Sequence, residues 1–157
     1  MFKVLFVCTG NICRSPSAEA IFRHLVEAED LSNVLAVDSV GLHGFHVGEP
    51  PDARAVAAAA RRGYRMRDLR ARRIRLQDFH DFDKLIAMDD GHYQALNQQC
   101  PDQYREKICM FLEAAATDDS ASIPDPFYGV MEDFEHALDL IETGAKAWFE
   151  RLKTTLP

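Results

Sequence analysis

Apolar positions along this chain follow two repeats in turn. Residues 2–7 (FKVLFV), 34–40 (VLAVDSV), 84–88 (KLIAM) and 107–112 (KICMFL) are short, nearly unbroken apolar runs. Each suits a strand covered on both faces. Between them the spacing widens to three and four. Ala18, Ile21, Phe22, Leu25 and Ala28 mark one face of a helix. Ser15-Pro16 opens it, serine as N-cap and proline in the first turn. Residues 52–62 (DARAVAAAARR) predict a second helix, stopped by Gly63, and residues 89–98 a third. Residues 132–152 predict a long closing helix whose core face carries Phe134, Leu138, Ile141, Ala145 and Trp148. Residues 41–51 and 117–122 read as loops.

Strands alternating with helices imply right-handed βαβ units. The expectation is an α/β fold: one domain over residues 1–157, a doubly wound parallel four-stranded sheet with helices on both faces. Ligands of such sheets sit beyond the carboxyl ends of the strands, where strand order reverses. The segment VCTGNICRSPSAEAI, residues 7–21, begins at that end of the first strand.

Composition narrows the classes. The chain has 157 residues, 47% of them apolar, enough for one substantial core. The formal charge of −7 argues against general binding to nucleic acid or anionic membrane. No apolar run reaches the ~20 residues of a membrane span. The start MFKVLFVCTG has no small-residue cleavage site and reads as a strand rather than a signal peptide. The expected location is the cytoplasm, where Cys8, Cys13, Cys100 and Cys109 stay reduced. No CxxC or HxxxH spacing lies near Cys8 and Cys13, so neither metal nor cofactor is expected.

Residues 8–15 carry the candidate chemistry. A segment that curls from a strand into a helix N-terminus turns several backbone N–H groups inward, beside the positive end of the helix dipole. Gly10 allows positive φ, and Asn11 tolerates the left-handed region. Arg14 adds a planar fork suited to two phosphate oxygens. The same surroundings favour the thiolate of Cys8, which Ser15 can further stabilise. Anion binding, nucleophile activation and transition-state stabilisation then share one set of donors. The loop lacks the GKS or GKT ending of a nucleotide P-loop, so ATP and GTP are not expected. The plain alternative, a packed Cys8 and a surface Arg14, fits poorly with a position between strand and helix.

The run Cys8-Thr9-Gly10-Asn11-Ile12-Cys13-Arg14-Ser15-Pro16 resembles the signature loop of low-molecular-weight protein tyrosine phosphatases. Asp125-Pro126-Phe127-Tyr128-Gly129 resembles that family's Asp-Pro motif, in the same order along the chain. Val37-Asp38-Ser39 and residues 47–56 (VGEPPDARAV) add to the likeness. The resemblance implies that Cys8 attacks phosphorus to form a phosphocysteine, with Arg14 and the loop amides holding phosphate. Asp125 protonates the leaving phenolate and then activates water. Pro124 and Pro126 stiffen the loop that carries it. The resemblance also implies that Asn11 and Ser39 bond to each other and hold the loop. Cys13 becomes the partner that traps oxidised Cys8 as a disulfide.

By position, Ile12, Phe45, His46, Phe127 and Tyr128 line the family's cleft. Apolar walls there favour a phosphorylated ring, so the expected partner is a phosphotyrosine-containing protein. Phosphate and oxyanions such as vanadate are the expected inhibitors. The oligomeric state is open, with a monomer as the default. A protein-arginine phosphatase is the near alternative; that branch has threonine where Ile12 stands. A thiol-dependent arsenate reductase would need Cys100 and Cys109 as a relay. A binding module that holds phosphate without turnover is the contrasting class. Where the family often has a supporting histidine, this chain has Leu69. Residues 61–75 hold eight arginines and one aspartate, a solvated stretch or a basic rim for acidic substrates. Only Tyr64 could stack a base among them, which argues against nucleic acid. His43 reads as an exposed loop residue, and His24, His80, His92 and His136 form no ligand spacing.

Overall fold

β1 (Phe2–Cys8) lies between β2 (Leu35–Gly41) and β3 (Lys84–Ala87), and β4 (Ile108–Met110) extends the sheet beyond β3. All pairings are parallel, with Val4 opposite Val37 on one side and Lys84 on the other. The coordinates are a computed structural model that describes residues 1–115 and 122–157. Apart from Ser122, the loop expected over 117–122 lies outside the described residues. Among the described residues, five α-helices accompany the sheet: α1 (Arg14–Ala28), α2 (Ala53–Arg61), α3 (Leu76–Asp81), α4 (Asp90–Gln99) and α5 (Met131–Lys153).

Helices cover both faces, and the strand residues alternate between two cores as the two-residue period of a strand requires. Val4, Phe6 and Cys8 join Ile86 and Cys109 against Ile21 and Phe22 of α1 and Trp148 and Phe149 of α5. Leu5 and Val7 join Leu85 and Ala87 against Phe79 of α3 and Leu96 of α4. The unbroken apolar runs are thus strands buried on both sides. Phe6 meets Phe22 and Phe111 edge-on at 5.6 Å each. The Trp148 indole donates to the Phe111 carbonyl at 2.6 Å, which pairs the polar end of a fully buried ring.

One short helix escaped the periodicity, and one strand is shorter than its pattern. α3 has only six residues, too few for a helical repeat to show, and Asp78 organises it. Asp78 is fully buried, takes the Arg75 N–H at 2.8 Å and pairs with Arg72 at 3.1 Å. The fourth strand is shorter than the apolar run that predicts it. Lys107 ends a 3₁₀ turn (Asp102–Lys107), and Phe111 starts another (Phe111–Ala115). Much of the arginine stretch is ion-paired. Arg61 and Arg62 bind Glu135 of α5, and Arg62 also binds Asp139. Arg72 joins Asp38 to Asp78.

The order β2-β1-β3 puts a strand on each side of β1, so the chain leaves β1 one way and returns on the other. That is the reversal point at which a crevice opens. The loops after β1 and β3 meet there.

Candidate active site

The loop from Cys8 to Arg14 curls because its outward groups are occupied. The Cys8, Thr9 and Ile12 carbonyls accept from the N–H groups of Leu42, His43 and Asp52, at 3.0, 3.2 and 2.8 Å. The N–H on the far side of each planar peptide then faces the concave side of the loop. Asn11 supplies the one left-handed turn, with φ 60°. Gly10 allows positive φ but does not take it. Its need for glycine is steric. A Cβ there would stand 3.0 Å from His46 Cδ2 and 3.2 Å from His43 Cε1. Gly41, at the end of β2, is more tightly constrained, because a Cβ would meet the Gly10 and Thr9 backbone at 2.9 Å, where no side chain can move aside.

Asn11 also ties the loop to its surroundings. Its Nδ2 donates to Ser15 Oγ at 2.8 Å and to Ser39 Oγ at 2.9 Å, and its Oδ1 accepts from the Arg72 N–H at 3.0 Å. Ser39 in turn donates to Glu19 Oε1 at 2.7 Å. Burial pushes the Glu19 carboxyl up, against the pull of Ser39 and Arg23. Ser15 does not cap α1 as its sequence position suggests. Cys13 is the N-cap, without a side-chain cap bond. Ser15 sits in the first turn, accepts from Asn11, and lies 2.9 Å from Cys8 Sγ and 3.4 Å from the Val40 carbonyl, the two acceptors within reach of its one proton when Cys8 is a thiolate. Leu69 packs against the core.

Arg14 is 3% exposed and is oriented from several sides. Nη1 donates to Asp89 Oδ2 at 2.7 Å and to the Ile123 carbonyl at 3.0 Å. Nη2 donates to Thr9 Oγ1 at 3.3 Å and lies 3.4 Å from His92 Nε2. Burial pushes the Asp89 carboxyl up, but the His92 N–H and the two neighbouring side chains outweigh it and hold it below the usual range. Burial, and then the Arg14 charge, bring the His92 imidazole down to about 4.

Asp125 approaches from the opposite wall. Its Oδ2 is 3.6 Å from Arg14 Nη2, and its Oδ1 accepts from the Phe127 N–H at 3.1 Å. The carboxyl group is 42% exposed, so it reaches both the cleft and water. Arg54 anchors the turn that follows, donating to the carbonyls of Phe127 and Gly129 at 3.0 and 3.1 Å.

Together these walls enclose a cleft of about 220 Å³. Cys8, Thr9, Gly10, Ile12, Cys13 and Arg14 form its floor; Asp125 and the rings of Phe45, His46, Phe127 and Tyr128 form its rim. His43 joins the rim, against its reading as a plain loop residue, and tilts against Phe45 at 4.4 Å. Phe127 and Tyr128 meet edge-on at 5.0 Å. Asn11, Ser15 and Ser39 lie behind the floor. Every predicted site residue is therefore in the cleft or directly behind it. Burial pushes the Cys13 thiol well above its ordinary value.

Sequence reasoning missed Asp89, His92 and Arg54. Asp89 and His92 follow β3, and only the strand order makes that loop a neighbour of the first. Arg54 left no local signal. Among the described residues, no helix is long and apolar enough to cross a membrane, and no group of three or more His, Cys, Asp or Glu is placed to hold a metal ion.

Residues 3–156 match the family model described as low molecular weight phosphotyrosine protein phosphatase. A low molecular weight protein-tyrosine-phosphatase of Bacillus subtilis is 39% identical over 93% of this chain and 92% of its own. The human low molecular weight phosphotyrosine protein phosphatase is 38% identical over 95% and 94%. The crystal structure of a protein tyrosine phosphatase from Entamoeba histolytica, with Hepes in its active site, superimposes with a TM-score of 0.93. It is 34% identical and covers 99% of both chains.

Proposed function

Since the chain belongs to the low molecular weight phosphotyrosine protein phosphatase family, we propose how its own residues divide the work of this hydrolase. The observation that carries the reading is the convergence of Cys8, Arg14 and Asp125 on one cleft. Cys8 Sγ attacks phosphorus as the thiolate, with the Ser15 hydroxyl donating to it. The aryl oxygen–phosphorus bond breaks as the sulfur–phosphorus bond forms, and Asp125 gives its proton to the leaving phenolate. Water then attacks the phosphocysteine, Asp125 takes its proton, and Cys8 leaves as thiolate with inorganic phosphate as product. Arg14 and the loop amides hold the phosphoryl oxygens in both steps. No metal or cofactor takes part in this scheme.

The rim supports the substrate class. Phe45, Phe127 and Tyr128 offer apolar and edge-on faces to a phenyl ring, and the depth of Cys8 below them favours phosphotyrosine over the shorter phosphoserine. Ile12 on the floor cannot hydrogen-bond a guanidinium, which disfavours phosphoarginine. Cys109 speaks against an arsenate relay, since it is buried in the core and does not line the cleft that holds Cys8. Cys13 serves as the trap for oxidised Cys8; a Cys13→Ser variant recovering from peroxide as fully as the parent would remove that role. Residues 1–157 act as one phosphatase domain, a cytoplasmic monomer without nucleic-acid or membrane partners, inhibited by phosphate and vanadate.

The test is hydrolysis of an aryl phosphate by the purified protein and by Cys8→Ser. We expect turnover in the parent and none in the variant, which still binds phosphate or vanadate. Turnover in Cys8→Ser removes the nucleophile assignment, and a parent that binds phosphate without hydrolysing it is the binding module instead. Phosphotyrosine, phosphoarginine and arsenate assayed side by side separate the related activities.

A further inference from the structure

We infer that His92 is a positioning residue for Arg14, held as the neutral imidazole with its proton on Nδ1 and closing a ring of contacts through Asp89 and Thr9. The inference rests on the reading of Arg14 as the phosphate ligand. His92 lies at the start of α4 and is 4% exposed.

Proton directions around the ring follow from what each group can do. A guanidinium has donors only. Arg14 Nη2 therefore donates to Thr9 Oγ1, at 3.3 Å. The Thr9 hydroxyl oxygen can accept there and keep its own proton for His92 Nε2, its neighbour at 2.8 Å. A proton on Nε2 would instead face Arg14 Nη2 at 3.4 Å, donor against donor. Nε2 must be bare.

The other nitrogen selects the same tautomer independently. Nδ1 is the one buried side-chain nitrogen or oxygen without a hydrogen bond among the described residues. It stands 3.2 Å from Asp89 Oδ1, at an angle short of a hydrogen bond. A bare Nδ1 would turn its lone pair on that carboxylate, whereas Nδ1–H presents positive charge to it. Asp89 completes the ring, since its Oδ2 accepts from Arg14 Nη1 at 2.7 Å. The geometry of Arg14 thus depends on the Thr9 oxygen facing Nη2, and Thr9 faces that way because His92 takes its proton.

The charged groups facing His92 are Arg14 from α1, Asp89 at its own helix start, and Asp125 from the opposite loop. Arg14 disfavours a second proton on the ring, and the two carboxylates favour one. Burial and Arg14 prevail, so the neutral form persists below pH 6. A protonated ring would set a donor against Arg14 and force the Thr9 proton out of the contact.

Two measurements test this. Long-range proton–nitrogen NMR on the 15N-labelled full chain, with His92→Gln to assign the signals, reads the tautomer directly. The expected result is a protonated Nδ1 and a bare Nε2, unchanged from pH 7.5 to 5.5. An Nε2–H tautomer, or an imidazolium by pH 6, overturns the inference. The second compares His92→Leu with His92→Gln, whose amide oxygen can still accept from Thr9. For the leucine variant, the inhibition constant of inorganic phosphate and KM rise about tenfold, the scale of one misdirected hydrogen bond to a charged group. The glutamine variant stays within about threefold of the parent. Parent-like phosphate affinity in the leucine variant, or equal losses in both, overturns it. If His92→Leu does not fold, the tautomer decides. A parent without turnover would overturn the phosphatase assignment and leave the NMR result standing.

Discussion

Arg54 reaches from the first turn of α2 to the Phe127 carbonyl, 3.0 Å away, and so fastens the segment that follows Asp125. Asp52 holds the same guanidinium at 2.9 Å, and its plane lies 4.4 Å over the Phe134 ring. The position of Asp125, the proposed acid, is therefore tied to a side chain outside the cleft lining. Arg54→Met keeps the apolar stem and removes the donors. Turnover of an aryl phosphate with a poor leaving group should fall about tenfold, while a good leaving group changes less than about twofold. Equal losses on both substrates would show that Arg54 acts on the fold and not on the acid.

Asp125→Ala should lower turnover on poor leaving groups by ~10²–10⁴ and spare good ones in the first step. A series of substituted phenyl phosphates gives the dependence on leaving-group pKa. The variant should show a steep dependence where the parent is nearly flat. A flat dependence in the variant assigns the acid elsewhere.

Asn11 combines a left-handed backbone with three hydrogen bonds, and two substitutions separate these contributions. Asn11→Gly keeps the backbone and loses the bonds, at a cost of about 2–3 kcal/mol. Asn11→Ala adds the steric penalty of the left-handed region, about 1–2 kcal/mol more. Urea denaturation measures both. An alanine variant as stable as the glycine variant means that the loop has relaxed to a different shape. Both variants should bind phosphate more weakly, because the loop amides no longer converge.

The pH dependence of stability has a definite sign. His92 titrates at 6.5 when unfolded and at about 4 when folded, so its neutral form is favoured in the native state. The unfolded chain takes up the proton first. The associated stability is present above pH 6.5, falls through that window, and is lost near pH 4. Its size is about 3 kcal/mol at one pKa unit per 1.36 kcal/mol. Asp89, also lowered on folding, adds a loss of the same sign at still lower pH. Denaturation at pH 7, 5.5 and 4.5 should show the decline, and His92→Gln should flatten it above pH 4.5. An unchanged slope in that variant would mean that another group carries the decline.

Local pattern made much of this protein legible in its sequence. The four strands needed only their apolar runs, because burial on both faces leaves no polar alternation to decode. The cleft residues were legible because Cys8, Arg14 and their neighbours occupy one continuous loop, and Asp125 stands between two prolines. Inside that loop the detail was less secure. Local pattern leaves the left-handed turn open between Gly10 and Asn11 and gives Ser15 its commonest role, helix cap. The structure gives the turn to Asn11, and it uses Ser15 to hold Asn11 and Cys8.

What the chain determines by itself is whatever depends on neighbours in sequence: which segments form strands, where the anion loop begins, and which side chains can do its chemistry. Strand order is a different matter. Packing β3 beside β1 brings Asp89 and His92, 75 and 78 residues away, against Arg14. Docking α2 under the Asp-Pro segment gives Arg54 its task. Such contacts arise only when separate elements bury their faces together, and no periodicity within one element encodes its partner.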